Sequence, residues 1–462
     1  MKPSRPVFWY QGLFLQPQHF QQLDCYFQSL LTPLNSYQLP FFRGVCSLEL
    51  REDSLKNLIV EVSRGEFIFP DGAWVVHPDN SVIQPRAIKK ESLEAGRPFK
   101  VFLGLRKWNQ KKDNVSVITH PDDIGKTGTR FVTESESEQV RDLYRGGATV
   151  PVQLMDYAVK IFFEHEIGDL AEYSLLPVAE LVFEEDVITL SRGYIPPLVT
   201  CSGSGALLQI IQNIREQVLA RCRKLEEYKS PREMQTSGFD STYIVYLFAL
   251  RSLNRYVPML FHMTEGELVH PWVVYGLFRQ LIGELSTFTD RIDSLGRLMD
   301  GTPLLPKYNH DDLRSCFEES QTLIGELLNS ITIGPENIIH LLRKGDHFKA
   351  QIPVESFESR NIFYLVVMTA EKQSKVLDVM KHIAKVSSFE QMSTLVGRAL
   401  PGIPLEYSLI PPPGLPTRPN AFYFKLDQNH PQWVEIQKSQ NICLYWQKAP
   451  KDTKAEIIVL RK

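Results

Sequence analysis

No long apolar run, no cysteine pair, no excess of one charge and no catalytic signature occurs in this sequence of 462 residues. The best apolar stretch, Tyr243–Leu250, is about a third of the roughly 20 residues a membrane-spanning helix needs. The N-terminus, Met1–Pro6, is basic, but Gln11, Gln16, Gln18, Gln21 and Gln22 interrupt the place where the apolar part of a signal peptide would lie. The chain therefore reads as cytoplasmic, meeting a membrane only through partners. Cys25, Cys46, Cys201, Cys222, Cys316 and Cys443 are scattered without CxxC or CxH spacing. That excludes a disulfide framework or zinc site and points to buried thiols in a reducing compartment. Lys plus Arg is 51 and Asp plus Glu is 54, a net charge of -3. Nucleic-acid binders concentrate positive charge and disordered acidic chains are far from balance, so both classes are excluded.

The chemistry-bearing motifs are missing as well. There is no P-loop, nucleophile elbow, HExxH or kinase set, and no fixed-period repeat. Cys201–Gly205 is glycine-rich and precedes a helical pattern, where a phosphate can sit. It lacks the Lys-Ser/Thr of a P-loop and reads as a linker with a helix cap. His310, Asp311 and Asp312 are adjacent, point in different directions on a helix, and read as capping residues rather than metal ligands. His19, among glutamines and aromatics, reads as a satisfied or interface histidine, with no Ser or Cys partner placed nearby. No cofactor, metal or reaction is expected.

What is present is a globular composition, 43% hydrophobic and 11% aromatic, in a chain long enough for two to four domains. From Val45 to Leu190 short apolar segments, among them Asn57–Val62, Phe99–Leu105, Tyr157–Phe163 and Leu175–Phe183, alternate with turns such as Pro70-Asp71-Gly72. That texture suggests an antiparallel sandwich or barrel, with the polar stretch Lys107–Val150 as loops and a hairpin. After Ile195-Pro196-Pro197 the period changes. Leu207, Ile211, Ile214, Val218, Cys222 and Leu225 recur at three and four, a heptad-like stripe that fits a bundle or coiled coil. Tyr243–Leu250 reads as a helix or buried run ending near Pro258. His270-Pro271 opens a long helix with proline in its first turn, its stripe Leu277, Leu281, Leu285, Phe288, Ile292 and Leu295. Asp311-Asp312 caps a last helix carrying Leu313, Phe317, Leu323, Ile324 and Leu327. These four segments make a helical bundle, packed on its own chain or around a symmetric oligomer.

Beyond Gly334-Pro335, strands at Asn361–Met368, Phe422–Leu426, Ile442–Trp446 and Glu456–Leu460 alternate with helical stretches Ser374–Val386 and Pro431–Lys438. The prolines Pro411, Pro412, Pro413, Pro416 and Pro419 make a stiff connection. The fold class expected is α+β multidomain: an N-terminal antiparallel β-sandwich over residues 1–197, a central helical bundle over 198–333 and a small α+β head over 334–462. The segment Val7–Leu15 is densely aromatic. It is open to two readings, burial against its own domain or an anchor in a partner's groove.

Trp9–Gln21 resembles the opening signature of the TssK family (ImpJ or VasE) of type VI secretion: a Trp, a Gly, an apolar pair, then Pro-Gln-His-Phe-Gln. Phe69–Gly72, Leu268–Pro271 with Leu281–Phe288, Tyr308–Leu313, Leu400–Pro404, Pro411–Pro413, Tyr423-Phe424 and Trp433 are similar to later family blocks in the same order. Tyr10 departs from the pattern, which has an acidic residue there. The resemblance implies a homotrimeric baseplate adaptor. Its β domain, similar to the shoulder of phage receptor-binding proteins, would bind the wedge proteins TssF and TssG. Trp9, Gly12, Phe14, Leu15, Pro17, His19 and Phe20 are the candidate contacts. The bundle would be a trimer stalk, with Leu207, Ile211, Ile214, Val218 and Leu225 along its seam. The head would contact TssL and TssM of the membrane complex, with TssJ beyond. The alternatives are a phage-tail or receptor-binding-like protein recognising a surface ligand, and a cytosolic hydrolase with an unrecognised site.

Overall fold

In a computed structural model of the chain, the structure describes residues 4–89, 96–142, 144–184, 187–226, 241–331, 337–357, 361–409, 415, 418 and 420–460. The expected boundary at Gly334-Pro335 and the proline cluster of Pro411, Pro412, Pro413, Pro416 and Pro419 lie outside them. The chain is mixed α+β and divides into two compact units: Met1–Glu216 with Pro258–Glu326, and Gln217–Val257 with Leu327–Lys462.

In the first unit a helix, α1 (Pro17–Tyr37), precedes an antiparallel sheet of Gly44–Leu50, Val62–Ile68 and Trp74–His77. The short helix α2 (Glu52–Lys56) lies between its first two strands. A second sheet runs from edge to edge through Val187–Leu190, Tyr173–Glu184, Phe99–Arg106, Asp156–Phe163, Phe131–Glu134 and Val115–Ile118. Alternate residues of its central strand, Val101, Leu103 and Leu105, are buried, as one covered face requires. The purely antiparallel expectation needs correcting here. Ser81–Ile83 pairs parallel with Tyr157–Val159, and Val115–Ile118 parallel with Phe131–Glu134. A parallel pair needs a crossover rather than a hairpin, and the second is supplied by the 3₁₀ turn Pro121–Lys126. Ile118, Ile124, Val132 and Ala158 pack together there with Val82. The stretch Lys107–Val150 is thus partly sheet and core rather than only loops and a hairpin.

The end of this β region is stitched back to its first strand. Val45 N–H donates to Pro197 O at 2.8 Å and Val199 N–H to Val45 O at 3.1 Å. Gly44 has φ +136, and a Cβ there would lie 2.5 Å from the Pro197 carbonyl oxygen. Gly44→Ala is therefore expected to cost more than about 1 kcal/mol, through a conformation L residues avoid plus a backbone clash. A fall in the midpoint of thermal unfolding checks it.

The helical segments are α3 (Gly205–Glu226), α4 (Ser241–Glu265), α5 (Pro271–Leu285) and α6 (Leu313–Ser330). The α3 stripe Leu207, Ile211, Ile214, Val218, Cys222 and Leu225 is buried within the chain. The run Tyr243–Leu250 does not end near Pro258. α4 continues through that proline to Glu265, carried by buried Leu253, Tyr256 and Leu260, because packing can outweigh the one bond proline removes. α5 starts as expected: Pro271 is its first residue and His270 Nδ1 accepts from Trp272 N–H at 3.1 Å. It ends at Leu285, so Phe288, in the 3₁₀ turn that follows, and Ile292 and Leu295 lie beyond the helix to which their spacing assigned them. Asp312 caps α6, accepting from Ser315 N–H at 3.2 Å.

In the second unit an eight-stranded sheet, antiparallel at every pairing, runs through Lys385–Ser387, Asn441–Tyr445, His347–Gln351, Asn337–Lys344, Lys454–Leu460, Ile362–Met368, Ala421–Leu426 and Leu405–Ser408. One face carries the main core, including Phe348, Phe363, Leu365 and Ile457. Two helices cover it, α7 (Gln373–His382) through Val376 and Met380, and α9 (Pro431–Ser439) through Trp433 and Ile436. Between them in sequence lies α8 (Phe389–Gly397). His430 caps α9 as His270 caps α5, its Nδ1 accepting from the N–H that follows a first-position proline. The opposite face holds a smaller cluster of Tyr364, Val366, Leu415, Tyr423 and Ile458.

Candidate partner-binding arm and the cluster that roots it

Among the described side chains of residues 4–43, none is buried. In the stretch before α1, Phe8 is 81% exposed, Trp9 46% and Phe14 80%, with Tyr10 and Leu15 also exposed. Few partners inside the chain explain these rings: Phe8 lies 5.7 Å from Tyr10 and Trp9 6.3 Å from His19, centroid to centroid. A turn joins them, with Leu13 N–H donating to Tyr10 O at 3.2 Å and Gly12 in the left-handed region at φ +89. Of the two readings of this segment, burial is therefore not what the structure shows.

The remaining candidates sit in the first turn of α1. Pro17 is its first residue, the position where a missing N–H costs nothing. His19 Nδ1 accepts the Gln16 N–H at 3.1 Å, closing the helix start as a glutamate does in a capping box. Phe20 is exposed. Gln28, Leu31 and Thr32 of α1 line a cavity of about 430 Å³ together with Phe42, Trp74 and Arg130.

The arm is rooted by a cluster that sequence reasoning missed. Phe41 has φ 61, unusual for a bulky residue, and its ring is held on three sides. It lies 5.8 Å from Trp272, 5.3 Å from Tyr308 and 5.5 Å from His310, nearly parallel to the last. His270 and His310 stack at 5.5 Å and 4°. His310 Nε2 is 2.7 Å from Arg43 O and His270 Nε2 is 3.2 Å from Phe41 O. A carbonyl only accepts, so each Nε2 carries the proton and each Nδ1 is an acceptor. The Nδ1 atoms take up Tyr308 O–H at 2.8 Å and Trp272 N–H at 3.1 Å. Both rings are thus bonded as neutral imidazoles. Outside the stack, Arg43 grips Asp311 with Nη2 at 2.8 and 2.9 Å from the two carboxylate oxygens. The run His310-Asp311-Asp312 therefore divides its work: Asp312 caps α6, while His310 and Asp311 hold the arm's root.

Burial holds His310 down to about 4, and it lowers His270 as well. A histidine at 6.5 when unfolded and near 4 when folded makes the unfolded chain bind more protons between those values. Stability is then full above about pH 6.5 and is lost as pH falls toward 4, by roughly 3 kcal/mol for His310. Denaturant midpoints measured from pH 7 to 4.5 should fall, and the fall should shrink in His310→Gln.

Nothing else among the described residues has the look of a reaction centre. No group of three or more His, Cys, Asp or Glu could hold a metal ion. Cys201, Cys222, Cys316 and Cys443 are buried, while Cys25 and Cys46 are half-buried, and none is bridged. Burial pushes the Cys46 and Cys201 thiols up to about 12 and Cys443 to about 11, which leaves them unreactive. Among the described residues no helix is long and apolar enough to cross a membrane.

Residues 19–460 match the profile of the family described as "Bacterial Type VI secretion, VC_A0110, EvfL, ImpJ, VasE". The chain belongs to the VasE family of type VI secretion. VasE-family likeness extends over nearly its whole length. The type VI secretion system baseplate component TssK1 of Pseudomonas aeruginosa is 26% identical over 451 residues, covering 96% of each chain. Among solved structures, a chain of the type VI secretion baseplate complex shares 21% identity and a TM-score of 0.63, with both chains covered in full. A chain of a TssK-TssF-TssG baseplate subcomplex shares 21% identity and a TM-score of 0.60, over 71% of this chain and 99% of that one. The VasE-family fold thus spans both compact units.

Proposed function

We propose that this chain is a non-enzymatic structural adaptor of a type VI secretion baseplate. Its exposed aromatic arm carries this reading. A run of Trp, Tyr and Phe side chains left uncovered in a protein with a well-filled core is the composition of a binding hot spot. The arm, with Trp9, Gly12, Phe14, Leu15, Pro17, His19 and Phe20, takes up the wedge proteins TssF and TssG, which are assembled with TssK in the subcomplex similar to this chain. The working units are a β domain over residues 1–197, a helical stalk over 198–333 and a head over 334–462. The chain acts in the cytoplasm as a homotrimer, its head turned to TssL and TssM of the inner-membrane complex, with TssJ beyond. It uses no cofactor and binds no nucleic acid.

The test is co-purification. Tagged full-length protein, expressed with TssF and TssG of the same system, should retain both through a sizing column. Separately, it should capture the cytoplasmic parts of TssL and TssM. Failure to hold TssF and TssG would overturn the adaptor reading; failure with TssL and TssM alone would remove only the membrane link.

A further inference from the structure

The cavity beside α1 holds a charged group whose bonding is incomplete. Arg130 lines it, although its side chain is only 7% exposed. The backbone there is fixed: Arg130 N–H donates to Asn114 O at 3.1 Å, and Ala158 N–H to Arg130 O at 2.9 Å. The guanidinium lies over the rings of Phe131 at 5.8 Å and Tyr157 at 5.5 Å, which hold its plane. Nη1 is fully used, donating to Asp71 Oδ2 at 2.7 Å and to Arg106 O at 2.8 Å. Nε and Nη2 have no hydrogen-bond partner among the described residues. Buried donors are nearly always satisfied, and the Nε–Nη2 edge is a fork that a carboxylate meets with two parallel bonds.

The rest of the lining suits such a guest. The Tyr157 hydroxyl, also without a partner among the described residues, adds a donor. Leu31, Phe42, Pro70, Ala73 and Trp74 supply apolar wall. Asp71 offers no competing acceptor, because its Oδ1 takes the Ala73 N–H at 3.2 Å and its Oδ2 takes Nη1. A cavity of about 430 Å³ with apolar walls and a few placed polar groups has the size and make-up of a ligand site.

We propose that this cavity binds an organic carboxylate carried on an apolar or aromatic body, held by the Nε–Nη2 edge of Arg130 and by the Tyr157 hydroxyl. Charge sets the class. Among the described residues lining the cavity, Arg130 is the only Lys, Arg or His and Asp71 the only acid. One further negative charge can share the guanidinium with Asp71, whereas a phosphate dianion would face Asp71 with no second cation. A cation is repelled by Arg130, and a purely apolar ligand leaves the free donors unmet at a cost. The same chemistry has two sources, a free small acid or an Asp or Glu side chain of a protein seated on this face. The site goes beyond the adaptor reading and does not depend on it.

The test is fluorine NMR on the full-length protein, titrated with para-fluorophenylacetate, with para-fluorophenylacetamide and inorganic phosphate as controls. The acid should bind about tenfold or more tightly than the amide, and phosphate should not displace it. Arg130→Lys keeps a cation beside Asp71 but loses the fork, and should weaken the acid about tenfold. Tyr157→Phe removes one hydroxyl and keeps the ring. It should weaken the acid about threefold at an unchanged melting curve, which decides the matter even where Arg130→Lys fails to fold. No binding of the acid, equal binding of acid and amide, or either folded variant binding like the parent overturns the site. Phosphate displacing the acid at equal concentration overturns its class. The source is read by adding the acid to protein loaded with TssF and TssG. Displacement assigns the cavity to an acidic residue of the wedge, and binding without displacement to a free acid.

Discussion

Replacing Trp9 and Phe14 together with alanine should weaken capture of TssF and TssG by about 100-fold or more while leaving the melting temperature where it is. Each aromatic anchor of a hot spot carries ~2 kcal/mol or more, and each 1.4 kcal/mol is tenfold in affinity. The fold does not depend on either ring. Both are exposed, with only Trp9 touching another ring, that of His19, and such surface changes stay within about 0.5 kcal/mol. Affinity by biolayer interferometry and a melting curve on the same preparation separate the possibilities. A melt lowered by many degrees would make the segment core and end the anchor reading. Unchanged affinity at an unchanged melt would place the wedge elsewhere.

The elements legible in the sequence are those whose signal is local. α3 announced itself by its 3-4 stripe, and α5 by the pairing of His270 with a first-position Pro271, where proline and cap act within one turn. The strands of the second unit showed as short apolar runs ending in Leu426 and Leu460. What failed was non-local. Alternation tells which face of a strand is buried but not which strand lies beside it, so the parallel placements of Ser81–Ile83 and Val115–Ile118 left no mark. Pro258 reads as a stop because its local cost is visible, while the packing of Leu253 and Leu260 that outweighs it is not.

The candidate site divides the same way. The aromatic density of Val7–Leu15 could be read, but whether it was covered could not, since exposure is set by the rest of the fold. α1 is hidden in the sequence by its glutamines and by the internal Pro33. The root of the arm was invisible because Phe41 meets a histidine 229 positions away and Arg43 an aspartate 268 away. Its trace was the pair of motifs His270-Pro271 and Tyr308-Asn309-His310. Their histidines looked like caps or spare ligands, and a stacked neutral pair needs both on the page at once.

Arg418→Ala should be the costliest single change in the second unit, lowering stability by about 3–5 kcal/mol. Glu456 lies in the strand Lys454–Leu460, between Asn337–Lys344 and Ile362–Met368, with its side chain 0% exposed. A carboxylate there is tolerable only against a cation, and Arg418 Nη1 supplies one at 2.5 Å. The His340 ring, itself largely exposed, lies 3.2 Å from the other oxygen. That second oxygen, Oε2, has no hydrogen-bond partner, so loss of the guanidinium leaves a buried charge with little else to hold it. The penalty belongs to the orphaned carboxylate rather than to the pair. Exchanging both residues for apolar ones of similar volume, Arg418→Met with Glu456→Leu, should therefore recover most of the loss. Urea unfolding of the three proteins at pH 7 decides it. If the single variant melts like the parent, Arg418 does not neutralise Glu456. If the double variant is as weak as the single, the loss comes from missing packing of the Arg418 chain rather than from unpaired charge.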